Sequence, residues 1–128
     1  SNIPGWIFWV NSNVLFFRLG VTGAEVDLTS ATISVDTWYH FIAFLDRSGS
    51  GQIYLNGVAS GSPLSLASVT ASGSTTGSLR VGAAPGGTFN FDGDLVYAAL
   101  WESSGWLDTH LQATIAAERA CYAIKSNC

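Results

Sequence analysis

Apolar side chains in this chain come in strand-length runs closed by Gly, Ser, Asn or Asp, a spacing that suits an antiparallel sheet far better than a helix bundle. The runs predict strands at residues 6–10, 14–19, 25–28, 32–35, 38–46, 52–55, 58–60, 78–82 and 94–101. Two connections carry their own turn chemistry. Asn11-Ser12-Asn13 joins the first two runs, and Asn tolerates the left-handed backbone of a tight hairpin. Asn56-Gly57 stands between Ile53-Tyr54-Leu55 and Val58, where a type I′ turn matches the twist of the strands it joins. Residues 52–56 alternate, with Ile53 and Leu55 inward and Gln52, Tyr54 and Asn56 outward. Residues 38–45 are apolar on both sides, with Trp38, His40, Ile42 and Phe44 on one and Tyr39, Phe41, Ala43 and Leu45 on the other, which predicts a central strand covered twice. The Ser-, Thr-, Ala- and Gly-rich residues 62–77 read as a loop or a weakly paired strand.

Length and charge exclude several classes. With 128 residues the chain suits one domain, residues 1–128, and only 11% of it is charged where about 25% is usual. Five Trp, seven Phe and four Tyr exclude intrinsic disorder. The net charge is −4 and the five Lys and Arg residues are scattered singly, so nucleic acid is not an expected partner. No apolar run approaches the roughly 20 residues of a membrane helix, so membrane insertion is not expected either. Little charge beside much apolar surface points to a protein partner or a homo-oligomer. There is no Met, so the start at Ser1-Asn2 reads as a processing site, a cloning scar or a trimmed end.

After residue 107 the period changes. Leu111, Ile115, Ala116 and Arg119 follow helical spacing, and Asp108 or Thr109 can cap the first turn, so a short C-terminal helix at about 108–122 is expected on the sandwich of about 5–102. Cys121 and Cys128 pair locally if that helix ends between them; otherwise Cys121 is buried and Cys128 free, or the bond joins two chains.

Asp36-Thr37-Trp38-Tyr39-His40-Phe41, the turn from Asp46 to Gly51, and Gln52-Ile53-Tyr54-Leu55-Asn56-Gly57-Val58 together resemble the central signature of laminin-G-like, concanavalin A-like jelly rolls. Ser78-Leu79-Arg80-Val81-Gly82 is similar to the family's next strand, and Phe91-Asp92-Gly93-Asp94-Leu95 with Ala99-Leu100-Trp101 to its closing strand. The resemblance runs from about Gly5 to Leu107 and implies an all-β, two-sheet antiparallel jelly roll whose opening strands are absent. A sandwich without them exposes an edge, so either the fold is a reduced version, or the strands lie in a longer chain, or another chain supplies them.

The resemblance also directs the search for sites. Its glucanases need paired carboxylates, and Glu25-Val26-Asp27 would put two acids on one strand face; the glucanase pattern calls for a third where Thr29 stands, so a solvated pair on an edge strand is the better reading. His40, inside a strand, reads as a satisfied core residue. Relatives hold calcium at the sandwich rim, which takes about six to eight oxygens. Asp92 and Asp94 can supply two and Asp46 another, although Asp92-Gly93 also reads as a plain turn. For a sugar, the aromatic candidates are Tyr54, Tyr97 and Trp106, with Asn56 for hydroxyl groups; Trp106 alternatively staples the helix. The implied function is a non-catalytic recognition or adhesion module, lectin-like, on a secreted protein, a cell surface or a virion. The rival is a structural subunit of a capsid decoration, fibre or filament, and a glucan-cleaving enzyme comes third.

Overall fold

The computed structural model describes residues 4–84, 89–96 and 98–100. They fall in two compact units, residues 4–75 and the described residues from 76 to 100. In the first unit β1 (Gly5–Asn11), β2 (Val14–Val21) and β3 (Ala24–Thr32) form one antiparallel sheet in that order. β4 (Phe41–Leu45), β5 (Ser50–Leu55) and β6 (Val58–Ser65) form a second. Both expected hairpin turns are present: Ser12 and Asn13 have φ of 49° and 60°, Asn56 and Gly57 of 50° and 82°. Paired positive φ values give the turn the twist of the strands that it joins.

Period-two alternation builds the core. Leu15, Phe17, Leu19 and Val21 from β2 and Leu28 from β3 are buried with Ile53 of β5, and Leu66 and Val69 after β6 join them. Each such side chain contributes about 1.5–3 kcal/mol by leaving water. Phe8 of β1 meets Phe17 edge-on and Phe41 of β4 at a tilt, both at 4.8 Å between centroids, so the two sheets touch across it. The all-β, two-sheet architecture that the resemblance implies is therefore present, with no helix among the described residues.

β3 and β6 approach closely. Ala31 N–H donates to Ser60 Oγ at 2.8 Å, and a Cβ on Gly61, whose φ is +76°, would lie 1.8 Å from the Thr29 carbonyl oxygen. Only glycine fits there.

β3 is one strand where the sequence suggests two, at 25–28 and 32–35. The register between β2 and β3 shifts between Val14 and Phe16, a bulge that takes the Leu15 N–H off the ladder. Ser30 Oγ accepts that N–H at 3.1 Å and donates to the Ala31 carbonyl at 2.6 Å. The break in apolar pattern at Ser30 thus marks a bulge inside a strand, and residues 33–35 lie beyond its end.

The expected central strand at 38–46 is also corrected. β4 spans only Phe41–Leu45, pairs with β5 alone among the described residues, and is half-buried along its length. Trp38, His40 and Tyr39 precede it, so His40 is a half-buried residue before a strand and not a core position within one.

In the second unit, the described residues of the runs expected at 78–82 and 94–101 lie outside any strand, and one isolated antiparallel bridge joins Ala83 to Asn90. Phe91 N–H donates to the Gly82 carbonyl at 2.8 Å. Leu79, Val81, Leu95, Val96 and Leu100 are exposed, so their alternation buries no face and draws out no ladder. The expected helix at 108–122 lies outside the described residues.

Candidate functional site

Residues 33–40 link the two sheets, and their backbone is pinned at both ends. Ile33 N–H donates to the Asn13 carbonyl at 2.7 Å, tying the start of the loop to the β1–β2 turn. At the other end His40 N–H donates to Asn56 Oδ1 at 2.9 Å, and Asn56 N–H returns to the His40 carbonyl at 2.7 Å. Across the middle, Ser34 N–H donates to Tyr39 Oη at 3.0 Å and Thr37 Oγ1 to the Val35 carbonyl at 3.0 Å. Asp36 takes a left-handed φ of 53°, which costs about 1–2 kcal/mol in a residue with a Cβ.

This braced loop holds Trp38 at 64% exposure, with Val35 and Val58 also open to water. Single exposed apolar residues need no explanation, but a tryptophan carries the largest apolar surface of any side chain, and a loop hydrogen-bonded at both ends lowers the ordering cost of using it. Asp36 and Thr37 stand beside it in the loop, and Asn56 is bonded to the loop's end.

The outward face of the first sheet is built differently. Trp9 of β1 stacks on its cross-strand partner Phe16, 4.9 Å between centroids and 10° between planes, and the Arg18 guanidinium lies 5.5 Å over the Trp9 ring. Arg18 Nε and Nη2 donate to Asp27 Oδ1 and Oδ2, each at 2.6 Å, and Nη1 lies 3.3 Å from Glu25 Oε1. The hydrogen bond to Asp27, aided by both carboxylate charges, raises the Arg18 pKa, so the guanidinium stays charged. Glu25 and Asp27 do share a face, as alternation predicts, and Arg18 draws both acids together.

The other candidates scatter. Tyr54 lies on the outward side of β5, opposite Ile42, and is half-buried; Asn56 sits in the β5–β6 turn with its side-chain oxygen committed to His40. Asp46 closes the β4–β5 turn: its Oδ1 accepts Ser48 Oγ–H at 2.6 Å and Ser48 N–H at 2.9 Å, and these bonds hold its carboxyl below the usual range. Asp92 and Asp94 are exposed residues of the second unit. Among the described residues no three His, Cys, Asp or Glu side chains gather as a metal set. Tyr97, Trp106, Cys121 and Cys128 lie outside the described residues.

Trp38 is the site residue that sequence reasoning misses, since the apolar run around it reads as core. The signal lies in the register. Phe41 pairs with Leu55 and Ile42 with Tyr54, so the ladder begins at Phe41 and Trp38 falls before it, where strand alternation no longer sets its environment.

Comparison with known families agrees with this architecture. A laminin-G family model, described as the concanavalin A-like lectin/glucanases superfamily, matches residues 1–104. No match was found among curated proteins or among solved structures. Two antiparallel sheets joined through the Trp38–His40 loop, closed by the Asn56-Gly57 turn and matched over most of their length, place the chain in the concanavalin A-like lectin/glucanase superfamily, to whose laminin-G-like branch it belongs.

Proposed function

We propose that this protein is a non-catalytic recognition and adhesion module that binds carbohydrate through the Trp38 rim, acting outside the cell, at a cell surface or on a virion. Membership of the superfamily supports a carbohydrate-binding or adhesion-type module in general. The observation that carries the finer reading is the exposure of Trp38 on a loop pinned at both ends. A pyranose presents a face of C–H groups that packs on an indole ring, while its hydroxyls need polar partners at the edge. Asp36, Thr37 and Asn56 are polar groups of this rim. Against an enzyme stands the Arg18 clamp, which engages both oxygens of Asp27 and draws in Glu25, the two acids that alternation places on one strand face.

The test is calorimetric titration with a set of oligosaccharides, run with calcium and with chelator. Trp38→Ala should weaken binding at least about tenfold, which is about 1.4 kcal/mol, with the thermal midpoint unchanged. A set in which nothing binds, or binding that ignores Trp38→Ala, defeats the reading.

One observation favours a structural role as the second reading. Among the described residues β1 lies at the edge of its sheet, carries no charge, and leaves Trp6, Ile7 and Val10 each 43% exposed, as an edge does when strands of another chain cover it. An oligomer in light scattering that dissociates in Ile7→Lys would support assembly; a monomer in both would remove it.

A further inference from the structure

We infer that Asn56-Gly57 is a self-modifying site: in the folded chain Asn56 loses its side-chain amide to attack by the Gly57 backbone nitrogen, and the isoaspartate that results frees the His40 end of the Trp38 loop. The chemistry stands apart from the sugar reading, since it needs only the β5–β6 turn and water.

Six Asn residues occur in the chain, and Asn56 is the one followed by Gly. The next residue governs reactivity, because its nitrogen must reach the Asn Cγ, and glycine brings no Cβ to obstruct that approach. The fold adds a second element. His40 N–H donates to Asn56 Oδ1 at 2.9 Å. A backbone N–H meets only an acceptor, so the amide oxygen faces His40 and Nδ2, the leaving group, is turned from it. When the Gly57 nitrogen adds to Cγ, negative charge gathers on Oδ1, where that N–H already points; a donor so placed lowers the barrier as in an oxyanion hole. Asn56 and Gly57 are only half-buried and Val58 beside them is exposed, so water reaches the turn.

The step balances without oxidant or cofactor. The bond from Gly57 N to Cγ forms, the bond from Cγ to Nδ2 breaks, and the Gly57 amide proton departs with Nδ2 as ammonia. Water then opens the cyclic imide. Opening at Cγ gives aspartate, whereas opening at the main-chain carbonyl carbon gives isoaspartate, in which the backbone runs through Cβ and Cγ. Either product adds one negative charge to a chain of net charge −4. Aspartate keeps an oxygen for the His40 N–H. Isoaspartate puts one more atom into the main chain of a two-residue turn set by φ of 50° and 82°, and takes the Cγ oxygen into the backbone. The reciprocal bonds between Asn56 and His40 are then lost, and with them one of the two ties of the 33–40 loop.

The experiment holds the intact chain at mildly alkaline pH, folded and in urea, and follows Asn56 by peptide mapping, with isoaspartate read by enzymatic carboxyl methylation. The expected result is that Asn56 is converted before the other Asn residues, and that the folded chain reacts within about tenfold of the unfolded one, a barrier difference under about 1.4 kcal/mol. A folded chain that keeps Asn56 while the unfolded chain loses it would mean that the turn shields the site, and would overturn the inference. In the isolated isoaspartate form, hydrogen exchange of the amides at His40 and at position 56 should quicken at least about tenfold while the β2 amides stay protected. Asn56→Asp, with an ordinary backbone and a carboxylate that still accepts the His40 N–H, should keep that protection. Unchanged exchange in the isoaspartate form, an equal loss of protection in Asn56→Asp, or exchange that quickens across β2 as well would each overturn the release of the loop.

Discussion

Trp9 and Trp38 both lie outside the core, yet their surroundings differ in kind. Trp9 stands on a strand, stacked on Phe16 and covered by the Arg18 guanidinium, which is itself held by Asp27 and Glu25. Trp38 stands on a loop whose backbone is hydrogen-bonded at both ends, and among the described residues no ring or guanidinium stacks on its indole. The first arrangement commits its aromatic surface to the sheet; the second leaves that surface to a ligand. The same residue type therefore stabilises in one place and offers a contact in the other, and the neighbours decide which.

The largest expected effect tests whether the two regions share one scaffold. Gly61→Ala puts a Cβ into the Thr29 carbonyl at a left-handed backbone position, and should cost about 2–4 kcal/mol from the strained φ and the overlap together. Chemical denaturation would show it, and near-ultraviolet circular dichroism should show the Trp9 stack weakening in the same transition as the core. A full-stability Gly61→Ala would mean that β3 and β6 do not close the sandwich.

Next comes the contrast itself. Trp9→Ala should lower stability by about 1–2 kcal/mol, the sum of a ring pair and a cation–π contact, and leave glycan affinity unchanged. Trp38→Ala should change stability by less than about 0.5 kcal/mol, since little of its surface is buried. Denaturant midpoints measured on both variants decide the matter, and equal losses would erase the distinction.

The smallest effect concerns acid. Ser48 holds the Asp46 carboxyl below its ordinary value, so this turn's contribution is present above the unfolded carboxyl range and is lost as pH falls through the lowered folded value. Asp46→Asn should therefore flatten the acid limb of the stability profile slightly, with Trp38 and Trp9 fluorescence unaffected at neutral pH. A steeper acid limb in the variant would reverse the sign and count against the turn.

Much of the first unit is legible along the chain. The alternation of Leu15, Phe17 and Leu19 marks the buried side of β2, and Asn56-Gly57 marks the β5–β6 turn, because both signals depend only on residues close together in the chain. Ser30 is ambiguous on that basis and reads as a boundary. A hydroxyl that interrupts an apolar run looks the same whether the strand ends or bulges, and only the Leu15 N–H that it meets across the sheet tells the two apart. The second unit misleads in the other direction: Leu79, Val81 and Leu95 have strand periodicity, but the described residues form a single bridge, since a period states which side is apolar and not what will cover it. Of the candidate site, Asn56 is legible and does adjoin the rim, whereas the apolar run around Trp38 points to the wrong environment.

What the sequence by itself determined is thus the class of fold and the pairing of near neighbours: strand-length runs, two turns with left-handed backbone, and a shared face for Glu25 and Asp27. The tertiary structure alone decided that Trp38 faces water, that Arg18 clamps the two acids, and that Gly61 passes beneath the Thr29 carbonyl. The reason is physical. Backbone sterics and side-chain alternation act over a few residues and can be read along the chain, while exposure, ion pairing and close approach depend on which distant segment arrives opposite.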